Sequence, residues 1–139
     1  MIKLTVKELF RLSAKRGYYY IPPSQTGGIR SLSVCLPSGV CGWTVNGRGL
    51  KRKDYRDRVS HEIGHCEKGA FYTRLSAPTC RGKCEESARR WQYEHMIGRD
   101  ELERAVRSGK KTPWELADYF DLPEYLILGA IRYFEEIRA

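Results

Sequence analysis

The sequence predicts an α+β fold: a small antiparallel sheet of about three strands packed against a helical bundle. Two observations predict it. Apolar residues alternate with smaller or polar ones through LSVCL and VCGWTV, but recur at three- and four-residue spacing after residue 54. Turn chemistry is concentrated in the same early region, at Pro22-Pro23, Pro37-Ser38-Gly39 and Asn46-Gly47, so the strands there are short. Strands gathered before helices, not alternating with them, give an α+β architecture. A chain of 139 residues, 41% hydrophobic and 12% aromatic, is large enough to bury a core and is expected to form one domain. Its sheet-containing half is 1–53 and its helical half 54–139.

The first helix follows Thr5, a plausible N-cap, and carries Val6, Leu9, Phe10 and Leu12-Ser13 at helical spacing until Gly17 stops it. YYYI is aromatic and β-branched and ends at Pro22-Pro23, which reads as a short strand. Leu32, Val34 and Leu36 mark a half-buried strand, and residues 40–45 its antiparallel partner. Asp54 is the expected cap of the next helix, whose buried stripe is Tyr55, Val59, Ile63 and Cys66, with Gly69 just beyond its end. A loop over 70–81 leads to a helix starting at Cys84 or Glu85 and running to Ile97. Asp100 caps a further helix, and Thr112-Pro113 and Leu122-Pro123 open the last two.

Charge is uneven. Residues 1–60 hold twelve basic and three acidic side chains out of a formal net charge of +8, and the densest run, RGLKRKDYRDR, spans 48–58. Such a run reads either as a nucleic-acid surface or as a solvated loop and helix flank beside a cleft, and the second reading is preferred. The C-terminal stretch TPWELADYFDLPEYLILGAIRYF has the outline of a helix-turn-helix, but residues 112–139 carry six acidic and two basic side chains. Phosphate contacts supply much of DNA affinity, so nucleic acid is a poor partner for this segment. Leu116, Phe120, Leu126, Leu128 and Ile131 are expected to pack inward instead. No apolar run approaches the roughly 20 residues of a membrane span, and the charged N-terminus reads as an amphipathic helix, so the expected location is cytoplasmic. Five cysteines at irregular positions make a poor disulfide framework, which fits the same compartment. Cys80 and Cys84 lack a second matching pair and read as small buried apolar groups, not as a metal site.

The chemistry concentrates in HEIGHCEKGAFY, residues 61–72, which holds two of the three histidines. His61 and His65, four apart, project from one helix face about 6 Å apart along the axis, close enough to share one tetrahedral ion. Glu62 lies roughly 100° round the helix, beside the ion and placed as a general base toward water. Gly64 costs about 1 kcal/mol relative to alanine in a helix interior, so a close neighbour is expected there. A zinc site of this kind needs a third protein ligand. His95 and many carboxylates are available, and position must choose among them.

Here RVSHEIGHCEKGAFY and EESARRWQYEHMIGRDELERAVRSG resemble the ImmA/IrrE family of HExxH metallo-endopeptidases, gluzincin-like enzymes of phages and mobile elements. In that family a helix bearing E-x-x-A-(D/N)-x-(F/W)-A follows the first motif, and Glu85, Ala88 and Trp91 match it. The resemblance implies a zincin-like domain with zinc held by His61, His65 and Glu85, and Glu62 as the base; Glu86 is the alternative third ligand. Two positions depart from the pattern. Arg89 stands where the family has an acceptor able to orient a ligating histidine, and Gln92 stands where it has alanine. Arg89 is expected either to pair with Glu85 or Glu86 or to weaken the site. Tyr72 and His95 are candidate oxyanion donors that the sequence does not place.

The resemblance implies a zinc-dependent endopeptidase acting on a protein substrate, a helix-turn-helix repressor, with strand 40–45 holding the substrate backbone. The competing readings are a non-catalytic partner-binding module on the same fold and a DNA-binding regulator using the basic N-terminal half.

Overall fold

The first helix, α1 (Val6–Arg16), begins as its sequence dictates: the Thr5 hydroxyl accepts from the Glu8 amide while the Glu8 carboxylate accepts from the Thr5 amide. Gly17, at φ 78°, closes it in the left-handed region that favours glycine. The structure is a computed structural model describing residues 4–73 and 75–137. Strands β1 (Tyr19–Tyr20), β2 (Ser31–Cys35) and β3 (Cys41–Val45) form a sheet in the order β1-β3-β2.

The turn after β2 makes β2 and β3 an antiparallel hairpin, with Ser31 opposite Val45 and Cys35 opposite Cys41. β1, by contrast, pairs with β3 in parallel, Tyr19 against Gly42 and Tyr20 against Trp43. The sheet is therefore mixed, not antiparallel throughout. The reason is topological: the hairpin leaves one edge of β3 open, and the connection from Ile21 to Arg30 is long enough to bring the chain round to β2 with β1 on that edge. As the central strand, β3 is buried along its whole length. Trp43 is fully enclosed, and its indole N–H donates to Ser13 Oγ on α1 at 2.8 Å, which satisfies two buried polar groups at once.

α2 (Arg52–Lys68) crosses the sheet, and every residue from 59 to 66 is buried. It starts two residues before the expected cap. Lys51 is the N-cap, and Asp54 sits within the first turn, where its charge favours the helix dipole. Gly69, at φ 60°, ends it as expected. Cys66 in its last turn forms a disulfide with Cys41 on β3, Cα atoms 5.6 Å apart. That corrects the expectation of unpaired cysteines: the fold brings together two residues 25 apart that no spacing rule connects. Cys35, Cys80 and Cys84 are free, Cys35 and Cys80 exposed and Cys84 half-buried, so the last two are not core residues.

α3 (Pro78–Gln92) begins six residues before Cys84, with Pro78 at the first position, where its missing N–H costs nothing. It packs across α2 and continues into a π-helical turn (Tyr93–Ile97), closed by the Gly98 amide donating to the Tyr93 carbonyl. α4 (Arg99–Arg107) is capped by Gly98, with Asp100 in its first turn and not at the cap. α5 (Pro113–Phe120) has the expected Thr112 cap, and α6 (Glu124–Glu136) follows Pro123. Leu116, Phe120 and Leu126 are buried together with Leu122 and Ile127, and Ile131 is partly buried; Leu128, expected inside, is 49% exposed.

The basic run largely dissolves into structure. Arg52 pairs with Asp121 at 2.9 Å and Lys53 with Asp118, while buried Arg56 donates to the carbonyls of Leu4, Phe120 and Asp121. These bonds fasten the start of α2 to the α5–α6 junction. Burial lowers the Arg56 guanidinium to a pKa of about 10, still charged at neutral pH. Among the described residues, no helix is long and apolar enough to cross a membrane.

Candidate metal centre

His61 and His65 come from consecutive turns of α2, and Glu85 from two turns into α3, which lies against it. That close crossing depends on Gly64: a Cβ there would meet the Ala88 carbonyl oxygen at 3.0 Å and the Trp91 ring at 3.4 Å. The glycine thus has the close neighbour its position implied. His61 Nε2 lies 2.7 Å and His65 Nε2 3.2 Å from the two oxygens of the Glu85 carboxylate. Ligand atoms of all three residues fall within 4.8 Å of one another, a group able to hold a metal ion.

The other nitrogen of each ring is committed elsewhere. His61 Nδ1 meets Gln92 Oε1 at 2.9 Å, and His65 Nδ1 meets the Ala70 carbonyl at 2.6 Å. A carbonyl oxygen only accepts, so each Nδ1 carries a proton, and Nε2 is the ring atom that each histidine turns to Glu85. The Gln92 orientation is itself set: its Nε2 donates to Asp57 Oδ1 and to Ser60 Oγ, both at 2.8 Å. A chain of hydrogen bonds from Asp57 through Gln92 to His61 therefore holds the ligand, as outer partners do in metal sites.

That chain answers the question raised by Arg89. The guanidinium turns from the ligands to Asp57 Oδ1 at 3.0 Å, also donates to Gln92 Oε1, and lies 5.5 Å from the Tyr125 ring centre. It pairs with neither glutamate; Glu86 is engaged instead by Arg90 on the outer face of α3. The departures at 89 and 92 compensate each other. The acceptor expected at 89 is supplied from 92, one turn on, and the cation at 89 neutralises the buried carboxylate behind it. Sequence reasoning missed Asp57, Gln92 and Ser60. A buried glutamine three residues after an arginine carries no local pattern.

Electrostatics follow from this packing. Hydrogen bonds from His61 and His65, then from Tyr72, hold the Glu85 carboxyl far below the usual carboxylate range. Burial pulls the His65 imidazole down, but its bonds to Glu85 and Ala70 and the charges of Glu62 and Glu85 outweigh it, and the net shift is upward. Glu62 is buried at the floor of a cleft of about 420 Å³, with no hydrogen-bond partner for its carboxylate among the described residues. Tyr72 lines the same cleft and donates to Glu85 Oε1 at 2.6 Å; that bond and burial push its pKa up to about 12, so it stays a neutral donor. His95, the other candidate donor, instead stacks on Trp91 with its Nδ1 on the Trp91 carbonyl, and does not line the cleft.

Compared with protein-family models, curated proteins and solved structures, the chain matches none. Two imidazoles and one carboxylate, reached from the cleft, offer three protein ligands to a metal ion.

Proposed function

We propose that the chain is a zinc-dependent endopeptidase in which His61, His65 and Glu85 hold the ion and Glu62 is the general base. The observation that carries the reading is the paired orientation of the imidazoles, both Nδ1 protons fixed outward and both Nε2 atoms aimed at Glu85. Zinc so held supplies the Lewis acidity that makes water a nucleophile near neutral pH. Glu62, unpaired and facing the cleft, takes the proton of the attacking water and passes it to the leaving amine. The Tyr72 hydroxyl, in the same cleft and bonded to Glu85, is the candidate donor to a developing oxyanion.

The substrate backbone belongs on β2, not on β3. The central strand has both edges occupied, by β1 and β2, whereas Ser31, Leu32 and Ser33 of β2 line the cleft and leave an edge open to an added strand. The ImmA/IrrE resemblance points to a helix-turn-helix repressor of a phage or mobile element as the protein to test first.

Wild type, His61→Ala and Glu62→Gln are purified with zinc, analysed for metal and incubated with a helix-turn-helix repressor as candidate substrate. Wild type and Glu62→Gln are expected to carry about one zinc and His61→Ala none. Cleavage in Glu62→Gln is expected to fall by about 10²- to 10⁴-fold. A zinc-free wild type, or undiminished cleavage by Glu62→Gln, rejects the proposal.

A further inference from the structure

Two guanidinium groups line the cleft, and they differ in kind. Arg89 is neutralised by Asp57 and stacked on Tyr125. Arg58 is exposed, and its one hydrogen bond among the described residues is a long 3.4 Å contact from Nη1 to Ser31 Oγ. No carboxylate pairs with it among those residues, although Glu62 follows one turn later on the same helix. Arg52, Lys53 and Arg56, its neighbours in the basic run, all bind the α5–α6 junction. Of the basic residues of that run, Arg58 alone lines the cleft, beside Asp57.

Its position is specific. Arg58, Glu62 and His65 recur at four and three residues, so Arg58 and Glu62 leave one face of α2 with their Cβ atoms roughly 5 to 6 Å apart. Its contact with Ser31 Oγ ties it to the first residue of β2, one of the three β2 residues that line the cleft. A peptide extended along β2 carries a side chain past this point within about two residues of the bond facing Glu62, given the rise of about 3.3 Å per residue. Arginine presents a planar fork of donors suited to a carboxylate.

We propose that Arg58 is the specificity residue of the cleft, receiving a substrate carboxylate within about two residues of the scissile bond. The substrate class is thus an extended segment with an acidic residue, or a chain end, beside the bond cut. This rests on the peptidase reading, but binding tests it separately from cleavage.

Zinc-loaded Glu62→Gln protein is titrated with extended, end-blocked peptides that differ only by Glu or Gln at one scanned position, and wild type is assayed for cleavage of the same pairs. At one position the Glu peptide is expected to bind and be cut about tenfold better at low salt. In Arg58→Gln that ratio falls to about one, while Arg58→Lys, which keeps the charge without the fork, retains part of it. Equal Glu and Gln peptides at every position overturn the proposal, provided that free-acid peptides show no advantage over amidated ones either. An advantage confined to the free acids, and lost in Arg58→Gln, assigns the carboxylate to the chain end. A preference that survives in Arg58→Gln overturns the assignment to Arg58. Arg58-dependent binding without cleavage by wild type refutes the peptidase and leaves this site standing. Arg58 is exposed on a helix and glutamine is a good helix former, so unchanged melting is expected to confirm that both variants fold.

Discussion

Gln92 does for His61 what a backbone carbonyl does for His65: it fixes which nitrogen carries the proton. Its amide is fully enclosed, and its oxygen and nitrogen have different partners, so the side chain cannot flip without losing bonds on both sides. Replacement by leucine keeps the bulk but leaves His61 Nδ1 and Asp57 short of a partner. Zinc affinity, measured by competition with a chromophoric chelator, is expected to fall by about 10- to 100-fold in Gln92→Leu. Stability is expected to drop by about 1–3 kcal/mol, the cost of leaving buried polar groups unpaired. Unchanged affinity with a lowered melting temperature makes Gln92 a packing residue only. The neighbouring Arg89 shows the same logic in reverse: set against the buried Asp57 carboxylate, its charge is a counterion turned away from the His61–His65–Glu85 group.

At the scale of elements, the site is a crossing of α2 and α3, and two glycines test it with opposite signs. Alanine at Gly64 gains about 1 kcal/mol of helix propensity but drives a methyl to 3.0 Å from the Ala88 backbone oxygen, where overpacking costs about 1–3 kcal/mol. Backbone cannot step aside as a side chain can, so Gly64→Ala is expected to lower stability and weaken zinc binding as α3 carries Glu85 away. Gly82, inside α3, has nothing within 4 Å of its missing Cβ, so Gly82→Ala is expected to gain about 1 kcal/mol in denaturant melts. A stabilised Gly64→Ala would show that the helices do not cross closely there. These elements also mark how far the sequence could be read. The histidine pair, the Gly69 stop and the Thr112 cap are local, written within one or two helical turns. The Asp57–Gln92–His61 chain joins residues 35 and 31 apart, and the parallel pairing of β1 depends on which edge of β3 the hairpin leaves free; neither leaves a periodic trace. α3 begins six residues ahead of Cys84 because Pro78 opens a helix whose first turns lack the apolar stripe that would mark them in the sequence.

For the whole molecule, α2 is the axis, held at both ends and crossed in the middle. Arg52, Lys53 and Arg56 fasten its start to the α5–α6 junction, α3 crosses at Gly64, and the Cys41–Cys66 disulfide fixes its end to the central strand, one residue beyond His65. The disulfide closes a loop containing β3, the turn after it and most of α2. In the chain-entropy account a loop of that length contributes about 3.5 kcal/mol by restricting the unfolded chain. Reduction by excess dithiol is therefore expected to lower the melting temperature of the metal-free protein by about 10 °C. Cys41→Ser is expected to melt near the reduced wild type and to ignore the reductant. Zinc at a hundredfold excess over its dissociation constant adds about 2.7 kcal/mol to any form that retains the site. The reduced protein is expected to recover most of its loss when zinc is supplied, because the ion and the disulfide restrain the same end of α2 through different partners, α3 and β3. A wild-type melting point that reductant does not move would show that the two cysteines are unpaired in solution. Zinc rescue of oxidised but not reduced protein would show instead that the disulfide is what holds His65 in place for the metal.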